Sequence, residues 1–219
     1  MKPSFGVINF EDRYKQTLET FDSIKAKDQE AFIVFSDSSV YPLTNEEKST
    51  IRQKVNLCLD FSQDEYCKQF NQFGLKSHGE NYMLLKTMET LKVVFDFSEL
   101  DGRMFKLGGR CKLQDEFDVT IYENIGSKYV FKKRLNSWMP KSTQDLYGST
   151  HILETRLYSW DFSLIDDYME VIKRNFESFG LGLDTEHSHL LNIDPDKLVE
   201  LDTLHCECVM ALTGQTMLD

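Results

Sequence analysis

Apolar residues recur along this chain at two spacings, and the spacing changes from segment to segment. Tyr14, Leu18, Phe21 and Ile24 follow one another at helical intervals with charges between them. Compact apolar runs flank that stripe, Phe5-Gly6-Val7-Ile8-Asn9 before it and Ala31-Phe32-Ile33-Val34-Phe35 after it. The second run reads as a strand buried on both faces, stopped by Ser36-Asp37-Ser38-Ser39. Strand, helix, buried strand and polar loop are the opening of a βαβ unit.

The pattern continues through the middle of the chain. Thr44 and Glu47 have the spacing of a capping box, with Pro42 just upstream, and predict a helix start. Val55 to Leu59 is a third strand ending at Asp60, and Gln63 to Phe70 a short helix. Ser77 and Glu80 repeat the capping-box spacing ahead of the stripe Leu84, Leu85, Met88 and Leu91. Val93 to Phe97 reads as a strand or as a helix end. Met104 to Leu107 reads as a strand interrupted by Gly108-Gly109-Arg110.

Tyr129 to Phe131 and Ile152 to Tyr158 are further strands. Asp161 is placed to cap a long helix whose face is Ile165, Tyr168, Met169, Ile172, Phe176 and Phe179, closed by Gly180 and Gly182. The tail predicts a short helix after Glu186, a turn at Asp194-Pro195, another helix to about Leu201, and an apolar stretch from His205 to Leu212. The segments 115–128 and 136–150 read as long functional loops. The expected fold is one α/β domain over residues 1–219, with a mostly parallel central sheet, flanking helices and a late antiparallel portion.

Composition narrows the function. The chain has 219 residues, 25 Lys plus Arg against 36 Asp plus Glu, and a formal charge of −11. That balance argues against a broad nucleic-acid surface but leaves room for a small positive pocket. No apolar run approaches the roughly 18–20 residues of a membrane-spanning helix. The start lacks the apolar core and cleavage site of a signal peptide, so a cytoplasmic location is expected. The cysteines Cys58, Cys67, Cys111, Cys206 and Cys208 are odd in number and are expected to be reduced.

Chemistry is sought at strand ends, where open α/β sheets bind ligands. Asn9, Asp37, Asp60 and the Gly108-Gly109-Arg110 bend lie there. Asp37 could accept from a base or ribose, or cap its own loop. Lys106, Arg110 and Lys112 form a basic group suited to a departing diphosphate, or a solvated patch paired with Asp115, Glu116 and Asp118. His78 and Glu80 sit at a predicted helix start, where ligand contact and ordinary capping compete. Glu186 could act as a base or cap a helix, with Asp184 a neighbouring competitor. His205-Cys206-Glu207-Cys208 alternates faces if extended, so it makes no tetrahedral metal site. P-loop, dinucleotide and Gly-x-Ser-x-Gly signatures are missing.

The run Phe105-Lys106-Leu107-Gly108-Gly109-Arg110-Cys111-Lys112-Leu113 resembles a segment of small GT-A-type glycosyltransferases from bacterial and viral capsular-polysaccharide gene sets. Phe5 to Asn9, Thr17-Leu18-Glu19-Thr20, Ala31 to Ser39, Thr155-Arg156-Leu157-Tyr158-Ser159 and Glu186-His187 are similar to other parts of that family. The resemblance implies a GT-A-like (Rossmann-like) domain, with 1–113 binding a nucleotide sugar and 114–219 facing an acceptor. It places Asn9, Asp37, Asp60, His78, Lys106, Gly109, Arg110 and Lys112 on the donor, and Arg156, Tyr158, Glu186 and His187 on the acceptor.

The activity so implied is transfer of a sugar from a nucleotide-sugar donor to a hydroxyl of a glycan or related molecule. Glu186 would be the base and Arg110, with Lys106, would stabilise the leaving group. The family's Asp-x-Asp metal motif is missing from the corresponding strand end. Asp96-Phe97-Ser98-Glu99 and Asp115-Glu116-Phe117-Asp118 are the nearby acidic runs, which leaves Mn or Mg dependence open. The alternatives are a nucleotidyltransferase and an inactive GT-A-like binding or assembly protein, with Trp138, Tyr158 and Trp160 as exposed aromatics.

Overall fold

The structure, a computed structural model, describes residues 8–39, 43–210 and 213–219. Most of the expected first strand therefore lies outside the described residues, as do Pro42 and the last two positions of the His205 to Leu212 stretch. Helix α1 (Phe10–Lys27) begins where Asn9 accepts from the Asp12 backbone N–H at 2.8 Å. Strand β1 (Val34–Asp37) starts three residues later than expected and is half-buried along its length. Helix α2 (Asn45–Arg52) carries the full capping box, with Thr44 and Glu47 each bonding the other's backbone N–H. Strand β2 (Leu57–Asp60) pairs parallel to β1 with Asp37 opposite Asp60.

Helix α3 (Glu65–Gln72) is capped by Asp64, and helix α4 (Lys76–Val94) follows after Gly74, whose φ is +66°. The expected capping box at Ser77 and Glu80 is not formed, because α4 already begins at Lys76 and both residues lie inside it. Val93 to Phe97 resolves as the helix end followed by a 3₁₀ turn. Strands β3 (Arg103–Leu107) and β4 (Cys111–Leu113) flank the Gly108-Gly109-Arg110 bend. Strand β5 (Tyr129–Lys132) is followed by a small hairpin-like pairing of β6 (Leu135–Asn136) with β7 (His151–Ile152). Between them stands helix α5 (Lys141–Tyr147), so the expected 136–150 loop is largely ordered structure.

The expected strand from Ile152 to Tyr158 is broken into β7 and β8 (Leu157–Asp161). Asp161 caps a 3₁₀ turn that feeds α6 (Ile165–Gly180), and Asp184 caps α7 (Thr185–Asn192). The expected helix to Leu201 is corrected to a 3₁₀ turn and strand β9 (Leu198–Leu201). Val199 favours the extended state, and β9 lies along β5 in parallel register, so tertiary pairing overrides the local helical preference of Leu198 and Leu201. Strands β10 (Cys206–Val209) and β11 (Thr216–Leu218) close the chain.

The strands do not assemble as expected. Among the described residues they form four separate sheets: β1-β2, β11-β10-β4, β3-β8-β5-β9 and β6-β7. Only β1-β2 and β5-β9 are parallel pairs; β3-β8, β8-β5, β4-β10, β10-β11 and β6-β7 are antiparallel. This overturns the single, mostly parallel Rossmann-like sheet and, with it, the GT-A fold.

The four-stranded sheet is packed on both faces. Tyr129, Phe131, Tyr158 and Trp160 meet Tyr168, Val171 and Ile172 of α6 and Met88 of α4 on one side. Val130 and Leu157 meet Cys111, Cys206 and Leu204 on the other. Burying a side chain such as Ile172 contributes about 1.5–3 kcal/mol. A third cluster of Phe21, Ile33 and Ile51 joins α1, β1 and α2. Across β4 and β10, Cys111 and Cys208 are directly opposed and joined as a disulfide, which corrects the expectation that all five thiols are reduced. Cys58, Cys67 and Cys206 are free.

Candidate functional site

Helix α1 lies against the bend between β3 and β4, and this contact gathers the cations. Gly108 N–H donates to the Arg156 carbonyl at 2.8 Å, and the Cys111 N–H returns to the Gly108 carbonyl at 2.8 Å, so the bend is a closed turn. A Cβ on Gly108 would stand 3.1 Å from Cys111 Sγ, which explains a glycine there. Thr17 Oγ1 lies 3.0 Å from the Gly109 carbonyl and 2.9 Å from that of Arg13. Arg13 is one helical turn before Thr17 and therefore on the same face of α1.

Arg13 and Arg110 are the cations brought together here. Both guanidinium groups are held below their ordinary pKa by burial, and Arg13 adds repulsion at Arg110. The Glu80 carboxylate acts on Arg110 in the opposite sense. Arg110 is half-buried and makes no side-chain hydrogen bond or ion pair among the described residues, and its Nη1 is enclosed without a partner. Sequence reading singled out Arg110 but not Arg13. The only signal for Arg13 was its place one turn from Thr17, on a helix whose contact with the bend was not foreseeable.

The remaining predicted residues divide by their partners. Lys106 Nζ pairs with Glu80 at 2.5 Å, donates to the Thr155 carbonyl at 2.7 Å and lies over the Tyr158 ring. Burial would raise the Glu80 carboxyl, but Lys106 overrides this and holds it below the usual range. Thr155 Oγ1 donates to Glu186 at 3.0 Å, and Glu186 is raised by burial, with Asp184 and Glu80 adding repulsion. Lys106, Glu80, Thr155 and Glu186 thus form one buried polar group beside Arg110.

Other positions are engaged elsewhere. Lys112 lies 3.5 Å from Glu207 and 3.9 Å from Glu19. Asn9 caps α1. His78 packs among Phe70, Phe176 and Phe179, and burial lowers its pKa. Asp37 bonds Ser39 and is raised by burial, while Asp60 pairs with Lys48 at 2.6 Å. Arg156 contacts Glu154, which stands 3.8 Å from Lys132, itself paired with Asp219 at 2.6 Å. Tyr158 and Trp160 are buried, so of the three aromatics expected on the surface Trp138 alone is exposed. His187 is fully buried and bonded to Ser137 and Asp184.

No group of three or more His, Cys, Asp or Glu side chains that could hold a metal ion occurs among the described residues. Among them, too, no helix is long and apolar enough to cross a membrane. Comparison with protein families, with curated proteins and with solved structures brings no significant match. The resemblance to glycosyltransferases is therefore corrected on two grounds: the divided, mixed sheets and the lack of any matching family or structure. The sugar-transfer and nucleotidyl-transfer readings, the inactive GT-A-like binder, and the nucleotide-sugar and glycan partners fall with it.

Proposed function

We propose that this protein binds a small ligand through a phosphate or sulfate group held between Arg13 and Arg110. The observation that carries this reading is the Arg110 side chain, half-buried beside a second arginine and without a hydrogen bond or ion pair among the described residues. A cation withdrawn from water and left unpaired is destabilising, and an oxyanion supplies the missing partner. The planar guanidinium fork matches two oxygens of such a group, which a lysine cannot do. In a chain of charge −11, two adjacent arginines are not part of a generally basic face. Lys106 takes no share of the ligand, because Glu80 already neutralises it.

Titration calorimetry with sulfate and with inorganic pyrophosphate, in a low-salt buffer, tests the reading. Binding by the native protein is expected to weaken about ten- to a hundredfold in Arg110→Gln, the loss of one strong charge-assisted contact. The melting temperature without ligand is expected to hold or rise, since a desolvated charge is removed. Equal affinity in both proteins, or no binding of either anion, refutes it.

A further inference from the structure

Ser137, His187 and Asp184 form a hydrogen-bonded chain at the first turn of α7. Ser137 Oγ stands 2.7 Å from His187 Nε2, and His187 Nδ1 stands 2.7 Å from Asp184 Oδ1. Ser137 follows β6, and Asp184 and His187 are the cap and third residue of α7, so tertiary packing joins positions 50 apart in sequence. Capping α7 requires only that Asp184 accept the His187 backbone N–H, which it does at 2.9 Å. The cap does not require an imidazole, and it does not require a serine at the imidazole's far nitrogen.

The surroundings fix the direction of the chain. The Met139 N–H donates to Ser137 Oγ at 3.1 Å, leaving the hydroxyl proton for His187 Nε2. Asp184 is an acceptor and holds the proton on Nδ1, so Nε2 is the nitrogen that accepts from Ser137; this assignment follows from the network. His187 is 0% exposed, whereas Ser137 is half-buried and its neighbour Trp138 is 62% exposed and packs edge-on to the imidazole. The Trp138 backbone N–H, immediately after the serine, has no hydrogen-bond partner among the described residues, and a donor at that position serves an oxyanion in other serine enzymes. A cavity of about 300 Å³ lies between β7 and the later part of α7, lined by Arg134, Thr150, His151, Leu190, Leu191 and Ile193 and not by Ser137 or His187 themselves. Thr150 accepts from the Ser137 N–H, and Leu190 is one turn along α7 from His187.

We propose that Ser137 and His187 are catalytic residues for hydrolysis of small esters, with Asp184 as the positioning residue. Ser137 Oγ bonds to the ester carbonyl carbon while its proton passes to His187 Nε2. The oxygen that becomes negative is met by the Trp138 N–H. Collapse breaks the bond to the alcohol oxygen, which leaves with the proton from His187. Water then bonds to the acyl carbon and gives a proton to His187; Ser137 Oγ departs, recovers that proton, and the carboxylic acid is released. The geometry, and not a sequence motif, identifies the pair, as it does on unrelated folds.

Hydrolysis of p-nitrophenyl acetate and butyrate by the full chain, with mass-spectrometric mapping of a fluorophosphonate adduct, tests the proposal. The adduct is expected on Ser137. Ser137→Ala and His187→Gln are each expected to lower kcat/KM at least about a thousandfold. Asp184→Asn keeps a good cap, so its melting temperature is expected to hold while kcat falls. A hydrolysis rate unchanged in Ser137→Ala, or failure of the native protein to form an adduct at Ser137, overturns the proposal.

Discussion

His189 shows how one residue couples the buried polar group to pH. Its Nδ1 lies 2.8 Å from the Thr185 carbonyl and its Nε2 2.8 Å from the Tyr168 hydroxyl, which is itself 2.6 Å from that of Tyr158. Lys106 and Glu80 act on it electrostatically, and Phe131 packs against the ring. Burial pushes its pKa down from 6.5 to about 4. The unfolded chain therefore takes up this proton first, so the neutral residue's contribution is complete above the unfolded value and declines as pH falls toward the folded one. The loss by pH 5 is about 2 kcal/mol. Glu186 and Asp37, raised by burial, act in the opposite sense. Urea denaturation of the native protein and of His189→Gln isolates the histidine. The stability gap between the two is expected to narrow by about 2 kcal/mol from pH 7.5 to pH 5, and a constant gap would contradict the buried neutral state.

At the scale of elements, the strongest local constraint is the bond between β4 and β10. Cys111 and Cys208 are 97 residues apart in sequence, so the bond closes a long loop and removes much freedom from the unfolded chain. The chain-entropy argument puts the contribution near 4–5 kcal/mol, and measured values commonly lie at about 2–5. Cys208→Ser is expected to lower the denaturation free energy by about 2–4 kcal/mol. Reductant is expected to do the same to the native protein and nothing to the variant, as read by thermal melting. Cys206 shares a face with Cys208, but burial pushes its thiol up to about 12, so it does not supply an attacking thiolate. Alternation along this strand was legible in sequence. The bond was not, because Cys111 belongs to a strand whose partner is set by packing.

Across the whole molecule, stability is concentrated where the four-stranded sheet is covered on both sides. Tyr129, Val130, Phe131 and Trp160 are each 0% exposed, whereas both residues of β6 and the ends of β11 face solvent. Hydrogen exchange under native conditions is expected to be slowest at the amides of β5 and β8 and fast at β6 and β11. Equal protection in all four sheets would contradict this distribution of the core.

The sequence by itself determined the local features that neighbours along the chain decide. Helix α2 starts at Thr44 because a threonine and a glutamate three residues apart satisfy each other's backbone groups. Helix α6 follows its apolar face. Tertiary structure alone decided which strands pair and in which direction, because the backbone groups that join strands are the same in every residue. That is why Leu198 to Leu201 became a strand beside β5, and why the expected parallel sheet divided into four. It also decided the fate of each charge. Lys106 met Glu80 across the fold while Arg110, four residues on, met Arg13, and no spacing within one segment carries that distinction.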